Sequence, residues 1–154
     1  AAIRERVMPA LAAALGQDPA PALARLAGQA AADDTILEML AGEVFWEVLS
    51  DEPGDWEPGD GVKLDLTVIE GYKSCDLIRY SAPVLRRVVR RASLLAGARV
   101  DSLTEAHLRG VVDLIYDWHG QGPLALPGIT VTRRDGFLEF ARHRDVSERE
   151  ILWD

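Results

Sequence analysis

Residues 81–96 read S-A-P-V-L-R-R-V-V-R-R-A-S-L-L-A, and no other stretch restricts the fold as much. At about 100° per residue, Val84, Leu85, Val88, Val89, Ala92, Leu95 and Ala96 share one arc of a helix. Arg86, Arg87, Arg90 and Arg91 share the opposite arc. Ser81 is placed to cap the free amides, Pro83 suits a first turn that needs no amide partner, and Gly97 is placed to end the helix. A helix of this kind must lay its apolar arc on a core built by the rest of the chain.

The opposite arc raises a question of charge. From Arg79 to Arg99 there are six arginines and no acid, in a chain of 154 residues whose net charge is -8. Residues 1–78 hold 15 acids and 5 bases, whereas residues 79–154 hold 10 acids and 12 bases. The average composition therefore argues against nucleic acid while the second half does not. A stripe of charge opposite a stripe of apolar residues is the ordinary surface of a solvated helix. Against that, the pairs 86 with 90 and 87 with 91 repel at i,i+4, each costing roughly 0.2–0.5 kcal/mol. No acid lies within the face to relieve them. Arginine also presents a planar fork matched to phosphate, so phosphates or an acidic partner would offset the repulsion.

The first 50 residues are helical in pattern. Ile3, Val7, Ala10, Leu11, Ala14 and Leu15 recur at three and four, with Pro9 expected to divide the helix near Met8 and Gly16 to stop it. Asp18-Pro19 is a start signal for a long helix, or two, reaching about Leu49. Its expected apolar face is Leu23, Leu26, Ala30, Leu37, Leu40, Ala41, Val44 and Val48, with Gly42 weakening the middle. Residues 51–61, D-E-P-G-D-W-E-P-G-D-G, read as an acidic loop around Trp56. Its acids lack the spacing and closing Glu of a calcium loop. Residues 62–69 alternate like a strand, although the same letters can form a helical turn. The lone Cys75 permits no internal disulfide and has no histidine in a catalytic motif, which favours a small packed residue.

Ser102 and Glu105 have the spacing of a capping box for a helix reaching about Trp118, lined by Leu103, His107, Val111, Leu114, Ile115 and Trp118. His107 on that face is expected to be a boundary residue satisfied by a hydrogen bond. Near Gly120 the hydrophobic period changes from 3.6 to 2. Leu124 and Leu126, then residues 129–133, then residues 137–142 read as strands, turned by Pro127-Gly128 and Asp135-Gly136. Ile151, Leu152 and Trp153 anchor a charged tail.

Catalytic chemistry is absent from the pattern. No Ser/His/Asp or Cys/His set has usable spacing, and Asp117 with His119 lacks a third metal ligand, so neither catalytic nor metal-binding residues are assigned. The glycines at 54, 59, 61, 120 and 122 lack the strand-loop-helix setting of a phosphate cradle. There is no signal peptide and no apolar run long enough to span a membrane. A single cysteine fits a reducing cytoplasm.

Four segments carry a resemblance to a known family. W-H-G-Q-G-P-L-A-L-P-G-I-T-V-T-R-R-D-G-F-L-E-F at residues 118–140 resembles the end of actinobacterial tRNA(Ile)-lysidine synthases. L-R-R-V-V-R-R-A-S-L-L-A-G at 85–97 resembles the helix before it, and T-E-A-H-L-R-G-V at 104–111 the link between them. I-R-E-R-V-M-P-A-L at 3–11 resembles the segment that leaves the catalytic domain in the same enzymes. Residues 50–80 depart from the pattern. The resemblance implies a C-terminal substrate-recognition region that holds tRNA(Ile). The missing N-terminal domain, with its S-G-G-x-D-S loop, would use ATP and Mg²⁺ to activate the wobble cytidine and join lysine to it. This segment would need no cofactor of its own. Contact with tRNA carries over to Arg86, Arg87, Arg90 and Arg91, and less directly to Arg4 and Arg6.

The sequence thus predicts an α+β protein, mainly a helical bundle with a small C-terminal antiparallel β meander. Its expected divisions are an N-terminal helical segment at 1–50, an acidic loop with a short strand or turn at 51–80, an arginine-rich helix pair at 81–119, and a hairpin or meander with a tail at 120–154. The rival reading is a non-catalytic helical protein–protein interaction domain whose arginine face meets an acidic partner.

Overall fold

The structure, a computed structural model, describes residues 2–50, 61–72 and 78–143. The acidic loop at 51–60, Cys75 and the tail beyond residue 143 lie outside the described residues. The chain forms two compact units, residues 1–37 and 38–154.

In the first unit a π-helical turn, Ile3–Val7, leads into α1, Met8–Leu15. Pro9 explains the change of register at Met8. It has no N–H to offer the carbonyl four residues back, and the Met8 N–H reaches the Ile3 carbonyl, five residues back. Gly16, at φ 68°, takes the left-handed conformation that ends α1. Asp18 then accepts the Ala20 N–H at 3.0 Å, starting α2, Ala20–Val48, as one continuous helix. The expected apolar face of α2 is buried only at its end. Ala41, Val44, Phe45 and Val48 are buried, whereas Leu23 and Leu26 are 46% and 62% exposed. Periodicity identified the stripe, but only the last two turns have a described sheet and helix to pack on.

In the second unit both readings of residues 62–69 hold in succession. Strand β1, Val62–Asp65, passes directly into α3, Leu66–Tyr72. The switch is made by Asp65, whose carboxylate accepts the Thr67 N–H at 2.8 Å and the Thr67 hydroxyl at 2.6 Å. Helix α4, Ala82–Leu95, buries Val84, Leu85, Val88, Val89, Ala92 and Ser93. Its end lies at Ala96, followed by Gly97 at φ 96°. A 3₁₀ turn, Val100–Ser102, precedes α5, Glu105–Tyr116. The cap of α5 is Thr104, not Ser102. Its hydroxyl accepts the His107 N–H at 3.4 Å, and His107 Nδ1 accepts the Thr104 N–H at 3.1 Å. The imidazole, half-buried, fills the place a Glu or Gln takes in a capping box.

The meander follows as β2, Leu124–Leu126, β3, Ile129–Arg134, and β4, Phe137–Arg142. β1 joins it, giving an antiparallel sheet in the order β1-β4-β3-β2. Gly128 at φ 92° turns β2 into β3 behind Pro127, as a type II turn requires. Asp135 and Gly136, at φ 51° and 81°, give the two positive-φ positions of a type I′ hairpin. Val62, Leu64, Ile129, Val131, Leu138 and Phe140 form the buried face of the sheet. The alternate residues are half-exposed, as in an antiparallel sheet covered on one side.

Candidate nucleic-acid interface

Helix α4 is fixed between acidic positions of two neighbouring helices, and this changes the meaning of its arginines. On one flank Arg87 Nε lies 3.2 Å from Glu38 of α2, and Arg91 Nη2 lies 3.8 Å from the same carboxylate. Arg87 also donates to the Pro83 carbonyl at 3.0 Å. Arg91 stands 5.8 Å from the centre of the Phe45 ring. A Cβ on Gly42 would meet Arg91 Nη1 at 3.3 Å, so that glycine leaves room for the guanidinium. On the other flank Arg86 pairs with Glu105 of α5. The expectation of an arginine face without acids is therefore corrected. The acids are 49 and 19 residues away in sequence, and tertiary packing brings them to the edges of the stripe. A carboxylate shared by Arg87 and Arg91 relieves their i,i+4 repulsion.

Arg90 differs from the other three. It is exposed and makes no ion pair among the described residues. Arg4 and Arg6 are exposed on the π-helical turn of the other unit. Exposed ion pairs of the Arg–Glu type contribute only about 0–1 kcal/mol. Glu38 and Glu105 have side chains 52% and 55% exposed, whereas the Arg87 side chain is 23% exposed and its Nε is buried.

Two arginines outside the helix face have structural roles. Arg79 lies 3.1 Å from Glu43 and 2.8 Å from Glu47, and its hydrogen bond with Glu47 holds its pKa above the usual value. The Tyr80 hydroxyl donates to Glu47 at 3.1 Å, and the Tyr116 hydroxyl donates to the Tyr80 carbonyl. Burial raises the pKa of both phenols, and for Tyr80 the neighbouring Glu47 adds to it. Arg133, its side chain 12% exposed, donates to the Leu114 and Ile115 carbonyls at 2.7 and 3.2 Å and pairs with Glu70 at 2.6 Å. It thereby satisfies the end of α5, where a cation is favoured. Trp118 lies 5.3 Å from it, ring centre to guanidinium.

A second cationic group was not singled out by the sequence pattern. The end of α4, the β2–β3 turn and the end of β4 meet where a Cβ on Gly128 would lie 3.1 Å from the Gly97 carbonyl. Arg99 donates its backbone N–H to Pro127 at 2.9 Å, and His143 donates its own to Gly128 at 2.9 Å. The stem of Arg142 packs within 3.5 Å of the Cβ position of Gly97, and that of Arg99 within 3.7 Å of that of Gly128. Arg99, Arg142 and His143 are all exposed. The local signals were Gly97, two residues before Arg99, and Gly128 in the Pro127-Gly128 turn; that Arg142 meets them depends on folding.

Among the described residues no three His, Cys, Asp or Glu side chains are grouped to hold a metal ion. His119 Nδ1 instead faces the Asp117 carbonyl at 2.9 Å. No helix among the described residues is long and apolar enough to cross a membrane. The chemistry available to this surface is recognition of anions by arginine.

Residues 75–139 match the family described as TilS substrate binding domain. The tRNA(Ile)-lysidine synthase of Leifsonia xyli subsp. xyli is 38% identical over 142 residues, covering 92% of this chain and 38% of that protein. That of Streptomyces coelicolor is 34% identical over 134 residues, covering 87% and 33%. That of Mycolicibacterium paratuberculosis is 34% identical over 148 residues, covering 92% and 40%. The chain thus spans about two-fifths or less of the length of these relatives. No solved structure matches it. Residues 75–139 thus match the TilS substrate binding domain family, and over about nine-tenths of its length the chain is similar to part of the tRNA(Ile)-lysidine synthases.

Proposed function

We propose that this chain is the tRNA-holding part of a tRNA(Ile)-lysidine synthase. It binds tRNA(Ile) while the catalytic domain of the same enzyme uses ATP and Mg²⁺ to activate the wobble cytidine and ligate lysine to it, in the cytoplasm. The segment itself takes no cofactor and is inactive alone. The observation that carries the reading is the family match over residues 75–139, the stretch that contains α4, α5 and nearly all of the meander. A physical argument supports it. Phosphate contacts set the position of an RNA, and arginines on a rigid helix offer such contacts at fixed spacing. In this reading Arg90 contacts phosphate directly. Arg86, Arg87 and Arg91 exchange Glu105 and Glu38 for phosphates, and Arg4 and Arg6 add contacts from the first unit.

The internal pairing of Arg86, Arg87 and Arg91 is what favours the rival, a protein-interaction or purely structural surface. Titrating the full-length enzyme with tRNA(Ile) at several salt concentrations separates the two. Each phosphate contact removed lowers the log–log salt slope by roughly 0.7–0.9. The Arg90→Gln enzyme is expected to bind more weakly with a flatter slope, and Arg87→Gln/Arg91→Gln to flatten it further. Affinities and slopes equal to wild type in both variants would put the interaction-domain reading ahead.

A further inference from the structure

We propose that Arg99 and Arg142 form a second phosphate-contact point, at the junction of the α4 end, the β2–β3 turn and the β4 end. The proposal rests on the tRNA-binding reading and assigns it a place outside the arginine helix.

Three observations support it. The first is the contrast in pairing. Arg79, Arg86, Arg87, Arg91 and Arg133 each meet a carboxylate within the fold. Arg99 and Arg142, like Arg90, Arg109 and Arg134, meet none among the described residues. Asp101, two residues from Arg99, makes no ion pair with either, and Glu139 on the same strand as Arg142 is engaged by Lys63 at 3.6 Å.

The second is that the backbone beneath them is fixed while their ends are exposed. Gly97 and Gly128 both take positive φ, and each packs against the stem of one of the two arginines. The backbone bonds from Arg99 to Pro127 and from His143 to Gly128 tie the three segments together. His143 Nε2 lies 2.9 Å from the Thr130 hydroxyl. Arginine stems held by packing lose less freedom on binding than free ones.

The third is position. Arg142, on the same side of β4 as Leu138 and Phe140, packs its stem at Gly97 just beyond the end of α4, and Arg99 follows that glycine by two residues. The two arginines therefore flank one backbone junction. Two guanidinium groups so placed can meet neighbouring phosphates of an RNA backbone.

The ordinary alternative is that Arg142 only complements the negative end of α4, where a cation is favoured. Full-length enzymes carrying Arg99→Gln/Arg142→Gln, Arg90→Gln or no change, titrated with tRNA(Ile) from low to moderate salt with a thermal melt of each, distinguish these roles. The expected result for the double variant is a loss of affinity and a salt slope lower by about 1.4–1.8, with an unchanged melt. An unchanged slope and affinity, with or without a lowered melt, overturns the second contact point. If Arg90→Gln still weakens binding in that case, the tRNA-holding reading stands without it. If neither variant differs from wild type, the second contact point falls, and the tRNA-holding reading falls with it when Arg87→Gln/Arg91→Gln also matches wild type.

Discussion

Arginine on this surface acts in two ways, and Glu38 separates them. It holds Arg87 and Arg91 in the fold, and it competes with any phosphate for the same guanidinium groups. Glu38→Gln is therefore expected to strengthen tRNA binding severalfold and steepen its salt dependence, at a stability cost of about 1–3 kcal/mol because the Arg87 Nε it faces is buried. Unchanged affinity with lowered stability would mark Arg87 and Arg91 as structural only. Arg133 stands at the other extreme. Arg133→Ala leaves the Leu114 and Ile115 carbonyls without their donor and is expected to cost about 1–3 kcal/mol by denaturant unfolding, with little effect on the salt slope. The phenols supply a pH test. Burial raises the pKa of Tyr80 and Tyr116 above the ordinary 10.0. The stability they contribute is fully present below pH 10 and is lost as pH rises through the raised values. Tyr80→Phe/Tyr116→Phe should flatten the alkaline fall in stability seen in wild type. An identical alkaline profile would contradict the burial argument.

At the scale of elements, the sequence was informative wherever one local rule decided the outcome. The arc from Val84 to Ala96, the strands on either side of Asp135-Gly136 and the stop at Gly16 follow from period and turn chemistry alone. Three points did not. Strand β1 pairs with β4 across 78 residues, Val62 opposite Phe140, and no local pattern announces that pairing. The cap of α5 moved from Ser102 to Thr104 because His107 could serve as the reciprocal acceptor. The acids facing α4 come from separate helices, so reading the helix as a single stretch missed them. The turns carry a direct test. Gly128→Ala forces a Cβ onto a positive-φ backbone 3.1 Å from the Gly97 carbonyl and is expected to cost about 1–3 kcal/mol. Gly122→Ala, with nothing within 4 Å and no positive φ, should change stability by less than about 0.5 kcal/mol. Equal melting temperatures for the two variants would remove the argument for a tight junction there.

At the scale of the whole molecule, the net charge of -8 conceals a division between an acidic first half and a basic second half, and the family match falls largely on the second. The candidate site was only half legible in the sequence. Arg90 stands exposed as the helical pattern implied, whereas the partners of Arg86, Arg87 and Arg91 and the meeting of Arg99 with Arg142 depend on folding. The central claim is that this surface of the second unit meets tRNA through arginines that the fold leaves accessible. The most direct test is a nuclear magnetic resonance titration of the ¹⁵N-labelled chain with tRNA(Ile) at low salt, following the side-chain Nε–H signals of its arginines. The account predicts that Arg90, Arg99 and Arg142 shift or broaden at the first additions and recover when salt is raised, while Arg133, held by carbonyls and Glu70, does not move. Arg90, Arg99 and Arg142 signals unchanged by a tRNA excess would contradict it.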